Sequence, residues 1–163
     1  MNIAERALRI AAFLDRHRVM SLATCGPNGP HAANVFYARD DLCLLWVSGP
    51  DSEHAMHLRE RAPVAATIAA DCRDYADIKG LQIDGEAWRI VEPDERRRAR
   101  SRLEARFAFL RQIGSGPVAL REAYARAEFY RLQPKRIVFI DNTRGFGFKE
   151  AIEFEGGRAA LSH

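Results

Sequence analysis

Three apolar strand patterns follow one another near the start of the chain, and only turn residues separate them. The first pattern, Val19 to Cys25, ends at Gly26-Pro27-Asn28-Gly29, whose residue types favour a chain reversal. A second pattern runs from about His31 to Ala38, and Asp40-Asp41 then turns the chain into a third, Leu42 to Val47. We therefore predict an antiparallel meander, which restricts the fold to architectures built on an antiparallel sheet.

Helical and strand periodicities continue through the rest of the chain. Apolar residues recur at helical spacing in the N-terminal segment and alternate with polar residues around Gly80 to Val91. The predicted elements outside the meander are helices over residues 3–17 and 52–61, strands over 64–70 and 80–91, a helical region to about residue 127 that is broken at 114–117, and a closing strand over 129–140. Six antiparallel strands avoid open edges by curling into a barrel. We predict a mainly β fold with α-helices (α+β), a six-stranded antiparallel barrel with flanking helices.

Length and composition bear on the domain organisation and the compartment. The chain has 163 residues, 47% of them apolar, which suits one domain with its own core, residues 1–163. Charged residues interrupt the apolar positions of the N-terminal segment, so it does not resemble a signal peptide. No apolar run approaches the roughly 18 residues that a membrane span needs. We expect a cytoplasmic protein with no membrane partner.

Cysteine spacing and charge distribution argue against a metal and against nucleic acid. The three cysteines, Cys25, Cys43 and Cys72, are widely spaced and lack the four-ligand pattern of structural zinc. Much of the positive charge behind the net value of +3 belongs to one predicted helix, where acidic residues interrupt six arginines: Arg96, Arg97, Arg98, Arg100, Arg102 and Arg106. Base-stacking aromatic residues are missing from that helix. We predict no metal site and no nucleic-acid partner.

One strand-to-helix turn concentrates hydroxyl groups and an imidazole. The strand Leu42 to Val47 runs into Ser48-Gly49-Pro50-Asp51-Ser52-Glu53-His54, and Ser52 is placed as the N-cap of the following helix. Free backbone N–H groups and the positive end of a helix dipole at such a turn face an anion. The turn is therefore a candidate phosphate seat, although helix capping alone also explains Ser52.

The order of several short motifs resembles one known superfamily. After the meander and its Ser-x-x-x-Ser-x-His turn, a short helix ends at Leu58-Arg59 and Pro63-Val64 follows, with Gly80 to Glu86 and Arg131-Leu132-Gln133-Pro134 farther along. This order resembles the FMN-binding split barrels related to pyridoxamine 5′-phosphate oxidase. The run Asp141 to Gly147 is similar to the C-terminal signature of their YhbP-like subgroup.

The resemblance implies a split barrel that forms a homodimer, with FMN as the cofactor at each junction between the two subunits. It also implies a redox or flavin-storage role with an unidentified small-molecule substrate. The residues that it places at the FMN are Ser48 and Ser52 at the phosphate, Asn34, Val35 and Phe36 along the isoalloxazine edge, and Gln82 at the polar edge of the ring. From the residues alone, a hydrogen bond to a loop also explains Asn34, and an outward strand position also explains Gln82.

His54 stands where the resembling proteins usually have a lysine. A lysine is a fixed cation near pH 7, whereas histidine, with an unperturbed pKa of about 6.5, is only partly charged. We therefore expect His54 to hold a phosphate more weakly, or with a stronger dependence on pH, than the family pattern implies.

The run Asp141 to Gly147 has two explanations of equal weight. Asx residues followed by two glycines make a loop that lets a ligand or a second chain approach the backbone closely, and a plain chain reversal has the same composition. In the first case Asn142 and Thr143 belong to the wall of the cofactor cleft, and Phe146 is the natural stacking group.

Three hypotheses for the function follow from the resemblance together with these residues. No catalytic dyad, acidic pair or nucleotide-type glycine loop is evident from the spacing, so catalytic residues are not assigned. The first hypothesis is an FMN-dependent oxidoreductase, because a flavin supplies the electron chemistry itself. The second is a non-catalytic flavin carrier or sensor. The third is a haem-binding split barrel, since histidine replaces the expected lysine.

Overall fold

The computed structural model describes residues 1–155 and the backbone of residues 158–159. The described helices are α1 (Ile3–Arg16), α2 (Glu53–Leu58), α3 (Pro93–Arg106), α4 (Ala108–Arg111) and α5 (Val118–Arg126). The described strands are β1 (Val19–Gly26), β2 (Gly29–Phe36), β3 (Ala38–Asp40), β4 (Cys43–Ser48), β5 (Pro63–Ala69), β6 (Lys79–Arg89), β7 (Glu128–Asp141), β8 (Lys149–Glu155) and β9 (Arg158–Ala159). Short 3₁₀ turns cover Tyr75–Asp77, Ile113–Ser115 and Asn142–Arg144.

An antiparallel sheet curls around the core in the strand order β2-β1-β5-β6-β7-β4-β3. β7 is 14 residues long, and one of its edges pairs with β6. Its other edge is shared between two strands. The first half of β7 pairs with β4, from Glu128 opposite Ser48 to Leu132 opposite Leu44. The second half of β7 pairs with β8. The sheet therefore branches at β7.

The curled sheet has seven strands, so the predicted number of six is wrong. β3 escaped prediction because it has only three residues and follows β2 after a single residue, Tyr37, so the two strands read as one apolar pattern. β8, which lies outside the seven-strand path, also escaped prediction because its alternation is weak and it follows the glycine-containing run Asp141 to Gly147. The coarser prediction is confirmed: the fold is mainly antiparallel β with flanking helices.

Two apolar cores lie on opposite faces of the sheet. The larger core joins α1 and α2 to the inward side chains of the long strands and includes the fully buried Trp46. The smaller core joins α3 and α4 to β4 and β7 and includes Leu45 and Phe129. Because successive strand residues point to opposite faces, adjacent residues of β4 belong to different cores. β4 is thereby fixed from both sides, which holds the turn after it in place.

Small and polar side chains occupy the face of β1, β5 and β6 that points away from the larger core. Ser21 of β1 lies opposite Thr67 of β5, and Thr67 lies opposite Gln82 of β6. All three residues are exposed, as is Ala65 of β5. We call these four residues the outer face. Its short side chains leave room for another surface to approach the strands.

Candidate functional site

A cavity of about 380 Å³ opens beside the turn between β4 and α2. Six of the predicted FMN residues line this seam cavity: Asn34, Val35, Phe36, Ser48, Ser52 and His54. β2 supplies the first three, and the strand-to-helix turn supplies the others. Ligand cavities for small molecules commonly have volumes of about 300–1,000 Å³, so the seam cavity is large enough to be one.

Two serine hydroxyls converge on one imidazole at the seam cavity. Ser48 Oγ lies 2.8 Å from His54 Nε2, and Ser52 Oγ lies 3.2 Å from the same nitrogen. If Nε2 carries the proton, it donates to a serine oxygen, and the Ser48 hydroxyl hydrogen is then free for an acceptor in the cavity. The arrangement can therefore offer donors to an anion.

His54 is buried, with 8% of its surface exposed. Burial, the largest cause, lowers the pKa of His54 from its usual value, and the neighbouring imidazoles of His31 and His57 lower it further. The side chain is therefore neutral at pH 7 without a ligand. This finding gives a physical basis for the expected difference from a lysine at the same position.

The helix after the turn begins as the sequence indicates. Ser52 occupies the N-cap position of α2, but its hydroxyl donates to the carbonyl oxygen of Gly49 at 2.8 Å and makes no capping hydrogen bond to the helix. Because α2 has only six residues, its dipole is small. The hydroxyls and the imidazole, more than the helix terminus, define the chemistry of this turn.

An aromatic cluster borders the seam cavity, and sequence reasoning found only one of its members. Phe36 contacts Phe107 and Phe109, with ring centroids 5.3 and 5.2 Å apart. Phe109 lines the cavity together with Leu103 and Leu110. These three residues fall within the predicted helical region, but nothing in their spacing linked that region to a turn about 50 residues earlier in the chain.

Gln82 lies on the outer face, away from the seam cavity. It is exposed and stands opposite Thr67 on one side and Val138 on the other. Ser21 donates to Asn34 Oδ1 at 2.7 Å, so Asn34, Ser21, Thr67 and Gln82 form one row across four strands. Three strand spacings separate Asn34 from Gln82, about 14 Å. Within one chain, the structure does not bring these two predicted residues together.

Asn142 joins two loops at the end of β7. Its backbone N–H donates to Ile78 at 2.9 Å, its side-chain amide donates to the carbonyl of Tyr75 at 2.7 Å, and its Oδ1 accepts from Gly147 at 3.1 Å. Thr143 donates its backbone N–H to Asp141 Oδ1. These hydrogen bonds give Asn142 and Thr143 a structural role within the loop. Neither residue lines the seam cavity.

Phe146 projects from the same loop and is 85% exposed. Its ring contacts Tyr75 edge to face, with centroids 5.8 Å apart. Gly145 and Gly147, on either side, have φ values of 140° and 74°, which favour glycine. The loop thus presents an aromatic ring to its surroundings, outside the seam cavity of its own chain.

Two kinds of feature are absent from the part of the chain that the structure describes. Within residues 1–155, no three His, Cys, Asp or Glu side chains are grouped so that they could hold a metal ion. No helix among these residues is long and apolar enough to cross a bilayer.

Comparison with known sequences finds relatives over most of the chain. The family model described as pyridoxamine 5′-phosphate oxidase matches residues 8–141. The UPF0306 protein plu4501 of Photorhabdus laumondii is 30% identical over 151 residues, which cover 91% of this chain and 96% of that protein. The UPF0306 protein YhbP of Escherichia coli O157:H7 is 29% identical over 147 residues, which cover 89% of this chain and 91% of that protein.

Comparison with solved structures finds the same fold in proteins described as binding different cofactors. A heme-binding protein from Mycobacterium smegmatis superposes with a TM-score of 0.70 at 20% identity, over 90% of this chain and 57% of that chain. A FAD-binding protein from Mesorhizobium loti superposes with a TM-score of 0.64 at 20% identity, over 80% of this chain and 91% of that chain. At these identities the likeness is one of fold.

Proposed function

The chain belongs to the pyridoxamine 5′-phosphate oxidase family, and on that premise we propose that it binds FMN in the seam cavity and acts as a flavin-dependent oxidoreductase on a small molecule. The observation that carries the proposal is the convergence of Ser48, Ser52 and His54 at one cavity. The FAD-binding neighbour of the same fold supports a flavin as the class of ligand.

The three polar side chains fit the phosphate group of FMN. The Ser48 hydroxyl can donate to a phosphate oxygen while its own oxygen accepts from His54 Nε2, and the Ser52 hydroxyl can do so once it turns away from the Gly49 carbonyl. A phosphate dianion would raise the pKa of His54, against the lowering by burial that the free chain has. Binding of the phosphate would therefore take up a proton at His54.

Apolar groups on the other side of the seam cavity suit the flavin ring. Val35 is buried, whereas Phe36 and Phe109 are each about half exposed at the rim. A flat ring that covers these phenylalanines would remove their surface from water, which favours binding. The flavin itself would supply electron transfer, and the chain would orient it and exclude water.

A second copy of the chain completes the proposed site. The outer face is open on β1, β5 and β6, and its row of side chains leads from Asn34 at the seam cavity to Gln82. A homodimer formed through this face would put Gln82 near a subunit junction, as the family resemblance implies. We assign Gln82 and Phe146 as candidate contacts of that junction.

Haem is the second candidate ligand. The neighbour from Mycobacterium smegmatis is described as binding haem, and three histidines lie near α2 in this chain. His31 and His57 have ring centroids 5.9 Å apart, and both influence the pKa of His54. Imidazole is a common axial ligand of haem iron.

A pair of measurements on the untreated protein tests the proposed function. The visible spectrum would show flavin bands if FMN is bound and a Soret band if haem is bound. Reduction of the bound flavin by NADH or NADPH would support an oxidoreductase, whereas a bound flavin that neither donor reduces would favour a carrier or sensor. A colourless protein that binds neither ligand on titration would contradict the proposal.

A further inference from the structure

A larger cavity, of about 470 Å³, lies beside the same turn but has a different lining. Pro50, Ala55, Leu58 and Arg59 belong to the turn and α2, and Arg89, Glu128 and Tyr130 belong to β6 and β7. We call this the basic cavity. It shares no lining residue with the seam cavity.

Tyr130 brings a phenol to the basic cavity. It stands directly opposite Arg89 on β6 and Trp46 on β4, and its ring stacks on Trp46 at a centroid distance of 5.4 Å. Only 3% of the residue is exposed. Within the described chain its hydroxyl makes no hydrogen bond. A hydroxyl that has no protein partner and belongs to a residue of the cavity lining is open to a ligand there.

Burial is the main cause that raises the pKa of the Tyr130 phenol above its usual value. The Glu128 carboxylate raises it as well, and the guanidinium groups of Arg89 and Arg59 act in the opposite direction. Both arginines and the carboxylate therefore act on the same hydroxyl. At neutral pH the phenol keeps its proton and can donate it.

The charge of the basic cavity is positive on balance. Its single carboxylate, Glu128, pairs with Arg89 at 3.5 Å and with Arg96, which lies outside the lining, at 3.0 Å. Arg59 donates to the carbonyl oxygen of Pro50 at 2.9 Å and lies 4.0 Å from Asp51, whose side chain is 96% exposed. Solvent weakens that second contact. Arg59 is therefore only weakly paired and can bind an anionic ligand.

We propose that the basic cavity binds a small organic anion, a carboxylate or a phosphate monoester carried on an apolar group. Arg59 and Arg89 can take the anion through paired N–H donors, which match the geometry of carboxylate and phosphate oxygens. The Tyr130 hydroxyl donates to the same anion, and Ala55 and Leu58 pack against the apolar group. The cavity has the size and the mixture of apolar walls and few polar groups that ligand sites have.

Residues of one turn contribute to the linings of both the basic cavity and the seam cavity. Arg59 holds Pro50, while Ser52 holds Gly49. A ligand that draws Arg59 away from Pro50 would act on the turn that carries Ser48 and Ser52. The binding of anion and of FMN would then be coupled, and the coupling would be reciprocal.

A fluorescence titration tests this proposal independently of FMN. The chain has two tryptophans, so a full-length Trp88→Phe variant leaves Trp46, stacked on Tyr130, as the reporter. Phenyl phosphate and benzoate are the two probes, and benzyl alcohol is the uncharged control. We expect at least one of the two anions to quench the Trp46 fluorescence to saturation. Benzyl alcohol should cause no quenching.

Variants in the same background locate the anion. Arg59→Gln and Arg89→Gln should each weaken binding about tenfold, and Tyr130→Phe, which keeps the ring, about threefold. Arg121→Gln removes the same charge from an exposed position on α5 and should change the affinity little. The absence of saturation by both anions, or equal loss in Arg121→Gln and Arg59→Gln, would overturn the proposal. Competition by FMN at a single shared site would overturn it too.

Discussion

Ser48 Oγ lies 2.8 Å from His54 Nε2, across the turn that joins β4 to α2. The pair places a hydroxyl against a buried imidazole whose pKa is lowered, chiefly by burial. An anion that enters the seam cavity therefore meets neutral donors, where the related proteins are expected to present a lysine.

The affinity for FMN should depend on pH through His54. Its pKa is lowered in the free chain and would be raised by a bound phosphate, so binding takes up a proton. Between about pH 7 and 9, where the phosphate stays a dianion, affinity should fall as pH rises, by at most about tenfold per pH unit. Calorimetric titration across this range measures the slope.

Two substitutions of His54 isolate its charge. His54→Lys should bind FMN with little dependence on pH in the same range, because the ammonium stays charged. His54→Gln should also lose the slope, since it cannot titrate, but it should bind more weakly than the lysine variant. A slope that persists in His54→Gln would assign the proton to another group.

Phe109 and Phe107 should respond differently to truncation. Phe109 is 47% exposed at the rim of the seam cavity, whereas Phe107 is 3% exposed in the smaller core. Phe107→Ala should reduce the free energy of unfolding by about 3–5 kcal/mol. Phe109→Ala should cost little stability but weaken FMN binding about fivefold, through the lost contact with the ring. Urea unfolding and FMN titration of both variants separate the two roles, and unchanged FMN affinity in Phe109→Ala would remove that residue from the site.

Asn142→Ala distinguishes the two explanations of the loop after β7. The side-chain amide holds Tyr75 and Gly147, so its loss should lower the free energy of unfolding by about 1–3 kcal/mol. If the role of Asn142 is structural, the affinity for FMN should change less than about twofold. Thr143→Ala, which removes the hydroxyl that donates to Asp141 Oδ1, should likewise leave the affinity for FMN nearly unchanged. A large loss of affinity at normal stability would place Asn142 at the cofactor.

The outer face should mediate a homodimer. Sedimentation at micromolar concentration should show a species of twice the chain mass. Thr67→Arg puts a charge in the middle of the row and should shift the equilibrium to monomers, because a buried charge without a partner is costly. The control variant Arg121→Gln, at an exposed position on α5, should leave the dimer intact. A wild-type chain that sediments only as a monomer would contradict the composite site.

Local patterns predicted the parts of the fold and site that depend on neighbouring residues. The strand-to-helix turn and the N-cap position of Ser52 follow from residue types within a few positions, and the structure has both. The alternation around Gln82 likewise indicated an outward position, which the structure confirms.

Contacts between distant segments escaped prediction. Leu103, Phe109 and Leu110 line the seam cavity only because α3 and α4 pack on the face of β4 and β7 that carries Leu45 and Phe129. Helical periodicity can indicate that one face of a helix is apolar, but it does not indicate which strand that face covers. The basic cavity escaped prediction for the same reason, since Arg59 follows α2 and Arg89 ends β6, and only the folded chain brings the two together.

The comparison of FMN with riboflavin tests the central claim most directly, because the two differ only in the phosphate. The free chain should bind FMN about tenfold or more tightly than riboflavin by calorimetry. In the double variant Ser52→Ala and His54→Ala, FMN affinity should fall by at least about tenfold towards that of riboflavin, whose own affinity should change little. Equal affinities for FMN and riboflavin in the wild-type chain, or an unchanged preference in the double variant, would contradict a phosphate seat at this turn.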